Sequence, residues 1–171
     1  MADDERRRAR EVLDLQEGRG PVPLLDDAGI AALLRSSRRI AIVGASANPS
    51  RPSHDVLVSL ARRGWDVVPV TPTTAEVGGH RTYPTLADAV AATGPVDIVD
   101  VFRRPEESPA HAHEAVAVGA RCLWLQLGVI SWAAAGIAHE AGMAVVMDRC
   151  TLIEDSRVFR PGEPRGPGAG A

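Results

Sequence analysis

The amino-acid sequence predicts an α/β protein of the doubly wound, Rossmann-like class, in which a mainly parallel sheet of five to six strands is flanked by helices. Five short runs of nearly continuous apolar residues recur along the chain, and helix-like segments separate most of them. Strands that are apolar on both sides are typical of a parallel sheet whose two faces are covered by helices. The runs occupy residues 38–44, 65–70, 96–102, 121–128 and 142–148. Right-handed crossovers place the first strand near the centre of the sheet.

Two helices are predicted before the first strand. Residues 3–17 carry charged side chains at helical spacing together with a thin apolar stripe, which is typical of a helix packed on the outside of a domain. A break containing glycine and proline follows it. After this break, Asp26 or Asp27 can cap a short helix that extends to Leu34.

The helices between the strands have recognisable starts. Polar residues stand where an N-cap is expected at Ser53, Thr85 and Ser131. Thr85 is followed three residues later by Asp88, which resembles a capping box. Pro105 and the two glutamates after it are predicted to open a further helix, because acidic groups stabilise the positive end of the helix dipole. Residues 80–84 are predicted to form the sixth, short strand.

Length and composition divide the chain into three parts. The 171 residues suffice for one domain, which we place at residues 25–157 and interpret as the ligand-binding unit. The N-terminal helix and its linker form residues 1–24. Residues 158–171 are so rich in proline and glycine that we expect a disordered tail.

The charge and composition exclude several classes of function. The net charge of −3 does not favour binding to nucleic acid or to an anionic membrane, and no apolar run approaches the ~20 residues that a membrane span needs. All 19 basic residues are arginine, which excludes a Schiff-base or Walker A lysine but leaves guanidinium groups for phosphates. Cys122 and Cys150 have no metal-binding spacing. We therefore expect a cytoplasmic protein with a small-molecule partner and no metal.

The ends of the strands mark the predicted binding site. In a doubly wound sheet, ligands bind outside the carboxyl ends of the strands, where the strand order reverses. Gly44 allows a sharp exit from the first strand, and the small residues Ala45 and Ser46 let a phosphate approach the backbone N–H groups. Arg51 lies in the same turn and Ser53 begins the next helix, whose N-terminus favours an anion. An ordinary solvated loop with a helix cap is the alternative.

The same turn argues against NAD as the ligand. A dinucleotide fingerprint has three glycines and an acidic residue about 20 residues later that holds the ribose hydroxyl. Here Ser46 and Pro49 occupy the second and third glycine positions. Asp66 lies at the beginning of the second strand, which is the wrong end. NADP, whose extra phosphate suits an arginine, stays open.

Five motifs occur together in an order and at spacings that resemble a known family. They are VGASANPSRPSH, VVPVTP, VDIVDVFRRPEE, LWLQLGVIS and AGMAVVMDRC, and the likeness covers about residues 25–157. The family comprises the bacterial single-domain CoA-binding proteins, related to the CoA-binding domain of the succinyl-CoA synthetase α subunit. The resemblance implies a Rossmann-like domain that binds coenzyme A or an acyl-CoA along the strand tips.

The resemblance also assigns the parts of the ligand to positions of this chain. The ADP phosphates are expected on Gly44, Ala45, Ser46, Asn48, Arg51 and Ser53. The adenosine is expected beside Thr71 and Pro72, the nucleotide between Val101, Phe102 and Arg103, and the pantetheine arm along Gln126 and Gly128. Thr71 departs from the asparagine that is frequent in relatives. Arg104 is a further candidate, because the diphosphate and 3′-phosphate of CoA suit arginines better than an acidic residue.

No catalytic constellation is visible, so we expect CoA binding without catalysis. Of the five histidines, His54 is the one expected near the phosphates. Cys150 is a candidate redox thiol that could form a mixed disulfide with CoA, with Arg149 beside it to favour the thiolate; an unreactive, partly buried cysteine is the alternative. Two other functions stay open: an NADP-linked oxidoreductase-like domain, and a CoA-responsive regulatory or interaction module.

Overall fold

The computed structural model describes residues 1–165, and its centre is one sheet of five parallel strands. These strands are β1 (Arg39–Val43), β2 (Asp66–Val70), β5 (Ile98–Val101), β6 (Cys122–Leu125) and β7 (Ala144–Val146); β3 (Glu76–Val77) and β4 (His80–Arg81) form a separate antiparallel pair. The order across the main sheet is β2-β1-β5-β6-β7. The predicted fold class is therefore confirmed, and the strand order reverses between β1 and β5.

Seven helices cover the sheet within the described residues. They are α1 (Ala2–Gln16), α2 (Asp27–Ser36), α3 (Pro52–Arg62), α4 (Leu86–Thr93), α5 (Ser108–Ala117), α6 (Trp132–Glu140) and α7 (Thr151–Val158). Buried side chains of α4, α5 and α6 pack on one face of the sheet, and those of α2 and α3 pack on the other together with partly buried residues of α7. Both faces are thus buried, which explains the continuous apolar strand runs. No helix among residues 1–165 is both long and apolar enough to cross a membrane.

The helix starts agree with the sequence at three positions and differ at two. Asp26, Thr85 and Ser131 each accept a backbone N–H of the first turn of their helix, at 2.8 Å, 3.1 Å and 3.2 Å. Ser53, however, is not the cap of α3: the helix begins one residue earlier at Pro52, whose ring fixes a helical φ, and Arg51 precedes it.

The start predicted for α5 at Pro105 is also wrong. The helix begins at Ser108, and residues 105–107 form a turn before it. Glu107 lies in the N-cap position, but its carboxylate accepts the backbone N–H and the Nε–H of Arg104 at 3.3 Å and 3.2 Å. The Glu107 carboxylate is therefore bonded to Arg104 in the turn and does not cap the first N–H groups of α5.

The sixth strand is smaller than predicted and lies outside the main sheet. Only His80 and Arg81 form a strand, and they pair antiparallel with Glu76–Val77. Tyr83 reaches the main sheet through a single parallel bridge to Val70. Gly78 and Gly79 between the two short strands both have positive φ, which permits the tight turn.

The C-terminal region differs from the expected disordered tail as far as the structure describes it. Helix α7 was not predicted, and Phe159 after it is buried against Trp65 with ring centroids 6.4 Å apart. The Arg165 guanidinium lies 4.0 Å from the centre of the Phe159 ring and donates to the buried Asp155 carboxylate at 2.9 Å. Trp65 Nε1 donates to the same carboxylate at 2.8 Å. Phe159 and Arg165 therefore pack against the domain, whereas residues 166–171 lie outside the described part of the chain.

Candidate functional site

A cavity of about 790 Å³ opens at the carboxyl ends of the five parallel strands. Its walls come from the turns after β1, β2, β5, β6 and β7 and from the first turns of α3 and α7. The lining residues are Gly44, Ala45, Ser46, Arg51, Pro52, Ser53, Val56, Thr71, Thr73, Phe102, Arg103, Arg104, Pro105, Gln126, Leu127, Gly128, Val129, Cys150 and Ile153. The cavity includes the point between β1 and β5 where the strand order reverses, which is the usual ligand position in this architecture.

Gly44 makes the sharp exit from β1 and lets β5 approach it closely. Its φ is +85°, and its N–H donates to the carbonyl of Val70 at 3.0 Å. A Cβ at this position would lie 3.0 Å from the carbonyl oxygen of Phe102 and 3.3 Å from Nε of Arg103. Only glycine fits both the positive φ and this distance. The arginine side chain therefore lies directly against the first turn.

Hydrogen bonds within the turn fix its course between Gly44 and α3. The Ser46 hydroxyl accepts the backbone N–H of Asn48 at 3.1 Å, and Asn48 Oδ1 accepts the N–H and hydroxyl of Ser50 at 3.0 Å and 2.8 Å. The His54 ring nitrogen Nδ1 bonds to the Ser46 carbonyl at 2.9 Å. His54 thus holds the turn to the first part of α3 and is not one of the side chains that line the cavity.

Three arginines give one end of the cavity its positive charge. Arg104 is paired with Glu107 at 3.2 Å and is largely exposed. Arg51 and Arg103 form no ion pair with any carboxylate of residues 1–165. Asp66, the acidic residue of β2, lies at the end of the sheet opposite to the cavity and is paired there with Arg39 at 2.7 Å. Two guanidinium groups are therefore left without a carboxylate partner where an anion would lie.

A buried polar cluster joins Gln126, which lines the cavity, to Asp100 and Thr151 inside the protein. Asp100 of β5 is fully buried and accepts hydrogen bonds from the Thr151 hydroxyl at 2.7 Å and from Gln126 Nε2 at 3.1 Å. Gln126 Nε2 also lies 3.1 Å from the Thr151 hydroxyl. Burial in the apolar sheet raises the pKa of Asp100 to about 8, although both hydrogen bonds act in the opposite direction. The cluster joins β5, β6 and the first residue of α7, and so it holds Gln126 and the start of α7 in place.

The part of the cavity formed by the turn after β6 and the first residues of α7 is largely apolar. Leu127, Val129 and Ile153 line it together with the partly buried Cys150. The Arg149 guanidinium beside this cysteine is bonded to Asp27 at 2.6 Å and lies 3.4 Å from Glu154. Its charge is therefore engaged by carboxylates, which removes the effect on the Cys150 thiol that the sequence suggested. Within the described residues, no group of three or more His, Cys, Asp or Glu side chains could hold a metal ion.

The structure brings the nominated residues together at this cavity except for four: Asn48, Pro72, Val101 and His54, the last of which holds the first turn to α3. Asn48 and Pro72 are exposed outside the lining, where Asn48 shapes the first turn. Val101 differs from the prediction: it is the last residue of β5, and its side chain is completely buried in the core rather than beside a nucleotide. The side chain of each strand residue faces a helix layer in this sheet, so only residues beyond the strand end reach the cavity.

The sequence did not predict the apolar residues Leu127 and Ile153 or the buried cluster around Asp100. Leu127 stands between two nominated residues, Gln126 and Gly128, and this position in the sequence could have predicted that it lines the site. Ile153 could not be placed because α7 was not recognised. The sequence pattern gave no sign that Asp100 would meet Gln126 and Thr151 inside the protein.

The fold and this cavity define a Rossmann-like nucleotide-binding domain: a parallel sheet covered on both faces, a glycine turn at the first strand end, and a cavity where the strand order reverses. The family comparison narrows this class. The family model described as "CoA binding domain" matches residues 38–156. The chain belongs to this CoA-binding family, and the resemblance seen in the five motifs is confirmed.

Similar proteins and structures agree with this membership. The chain is 38% identical over 126 residues to the uncharacterized protein YneT of Bacillus subtilis, which covers 74% of this chain and 91% of YneT. A solved structure from Thermus thermophilus is 36% identical, with a TM-score of 0.73 and 79% and 100% of the two chains covered. A hypothetical protein from Pyrococcus horikoshii is 34% identical, with a TM-score of 0.74 and 78% and 92% covered.

Proposed function

We propose that the cavity binds coenzyme A or an acyl-CoA in one direction along the strand ends. The diphosphate lies on the turn from Gly44 to Ser53, where the backbone N–H groups and the beginning of α3 favour an anion. Arg51 and Arg103 supply the guanidinium groups, and Arg104 is available to the 3′-phosphate. The adenosine lies beside Thr71 and Phe102, and the pantetheine arm passes Gln126 and Gly128.

One observation carries this proposal: the two arginines without a carboxylate partner lie at the glycine turn, while the acid that a dinucleotide site requires is absent from the end of β2. The last residues of that strand are apolar, and Thr71 and Pro72 follow. Asp66, at the other end of β2, is already paired with Arg39. A ligand with three phosphate groups and no need for a ribose-binding acid fits these charges better than NAD does.

The proposed role is binding without catalysis, and it is tested by comparing ligands. Thermal unfolding of the protein is measured with CoA, acetyl-CoA, NAD, NADP and ATP. A ligand at 100 times its Kd adds about 2.7 kcal/mol to the free energy of unfolding, which for a chain of this length raises Tm by about 5 to 10 °C. We expect this shift with CoA. A shift with NADP and none with CoA would contradict the proposal and favour an oxidoreductase-like domain.

Cys150 is proposed to form a reversible disulfide with the CoA thiol. It lines the same cavity as Gln126 and Gly128, along which the pantetheine arm is proposed to pass. In the test, diamide is reduced to its hydrazine and takes up the two electrons and two protons lost by the two thiols. Intact-mass measurement should show one CoA adduct on the native protein and none on Cys150→Ser. A native protein without the adduct would contradict this step and leave CoA binding unaffected.

A further inference from the structure

The two ends of the cavity differ in chemistry. The turn after β1 holds Arg51, and Arg103 of the turn after β5 lies against Gly44, so both charges suit phosphates at the first turn. The turn after β6, which lies on the far side of β5 from β1, and the first residues of α7 form the apolar end of the cavity with Leu127, Val129 and Ile153. A ligand that fills the whole cavity must therefore be anionic at one end and apolar at the other.

The apolar end is exposed to an unusual degree. Large apolar side chains that are at least a third exposed occur at few positions of residues 1–165, and these fall into two groups. Met1, Val12 and Leu13 belong to the N-terminal region of the chain. Leu127 and Ile153 are 63% and 53% exposed, and both line the cavity. Their apolar surface is continuous with the binding site and faces water until a ligand covers it.

The charges near this end disfavour an acidic ligand. The arginines that line the cavity come from the turns after β1 and β5, and the apolar end has none among its lining residues. Asp148 places a carboxylate beside it, since this side chain accepts the Gly128 N–H at 2.7 Å. Arg149 is held by Asp27 at 2.6 Å. A second carboxylate brought there by a ligand would meet the like charge of Asp148.

We propose that the site selects CoA thioesters of uncharged, apolar acyl groups over free CoA and over thioesters of dicarboxylic acids. The acyl chain covers Leu127 and Ile153 beyond the end of the pantetheine arm. This inference rests on the proposed function, because it takes the direction of the ligand from the phosphates at the first turn. It adds the chemical class of the acyl group.

The inference is tested by isothermal titration with free CoA, butyryl-CoA, hexanoyl-CoA and succinyl-CoA. Each methylene that is fully buried strengthens binding about fourfold, and a partly covered one about twofold. We therefore expect hexanoyl-CoA to bind at least tenfold more tightly than CoA, and succinyl-CoA more weakly than butyryl-CoA. Equal affinity for CoA and all its thioesters would overturn the inference, and so would preferred binding of succinyl-CoA.

Variants identify the surface that is responsible. In the double variant Leu127→Ser with Ile153→Ser, the ratio of the hexanoyl-CoA affinity to the CoA affinity should fall close to one. Leu13→Ser removes a leucine on α1 that is 46% exposed and does not line the cavity, and it should leave this ratio unchanged. An unchanged ratio in the double variant would overturn the inference. If free CoA itself fails to bind to the native protein, the proposed function fails instead.

Discussion

Replacement of Arg51 by alanine removes one of the two guanidinium groups proposed to meet the diphosphate. Arg51 immediately precedes α3 and forms no ion pair among residues 1–165, so the substitution leaves no carboxylate without its partner. The expected effect is therefore on the ligand rather than on the fold. Its size follows from the charge-assisted hydrogen bonds that an arginine makes to phosphate.

A hydrogen bond to a charged group contributes about 1.5 to 3 kcal/mol. Arg51 is exposed, so water screens the interaction and the lower figure applies. About 1.5 kcal/mol corresponds to a Kd that is roughly tenfold higher. Isothermal titration with CoA at physiological ionic strength measures this change, and dilution into higher salt should reduce the difference between native protein and variant.

Arg62 on the same helix provides the matched control. It lies in the last turn of α3, is exposed, and has no ion pair among the described residues. At 1.5 Å per residue it is about 16 Å along the axis from Arg51, or twice the Debye length of ~8 Å. Arg62→Ala should therefore leave the Kd for CoA unchanged. A change of less than twofold in Arg51→Ala, or equal losses in both variants, would refute the assignment of the phosphates to this turn.

Three further substitutions test the buried cluster around Asp100, the first turn and the C-terminal packing. In the folded protein Asp100 keeps its proton up to pH about 8, whereas in the unfolded chain it loses the proton near its ordinary pKa of 3.8. The protonated Asp100 therefore contributes to the free energy of unfolding in full below pH about 4. This contribution is lost as the pH rises to about 8. Urea unfolding should therefore show a smaller fall in stability from pH 5 to pH 8 in Asp100→Asn than in the native protein; parallel pH profiles would contradict the shifted pKa. Gly44→Ala adds a side chain at φ +85°, which costs about 1 to 2 kcal/mol before its contact with Phe102 is counted, and calorimetry should record a lower Tm together with weaker CoA binding. Phe159→Ala empties a buried site and should lower the free energy of unfolding by about 3 to 5 kcal/mol, whereas a disordered tail would give no change.

The sequence was sufficient for the sheet because its strand signal is strong and local. Each buried strand is a short apolar run bounded by polar or Gly and Pro residues, and the observed β1, β2, β5, β6 and β7 all lie within the predicted runs. The starts of the capped helices could be predicted because Asp, Thr and Ser side chains accept the first free backbone N–H groups of a helix. Helix α7 was missed because its sequence, TLIEDSRV, mixes charge and apolar residues without a clear stripe.

The parts of the site that escaped prediction depend on contacts distant in sequence. Asp100 meets Thr151 across 51 residues, and Arg165 reaches Asp155 after a turn at residues 160–163. Arg51 could be predicted as a phosphate-binding residue because it lies close to Gly44 and Ser53 both in the sequence and in the cavity. Leu127 lies in the turn after β6 and Ile153 lies in α7, and the two line the same cavity only in the folded protein.

The crystal structure of the CoA complex tests the central claim most directly. We expect the diphosphate oxygens within about 3.2 Å of the backbone N–H groups that follow Gly44 and of the guanidinium groups of Arg51 or Arg103, with the thiol end of the ligand beside Gly128 and Cys150. A diphosphate bound outside this turn, or a ligand in the opposite direction with its adenosine against Leu127 and Ile153, would contradict the account.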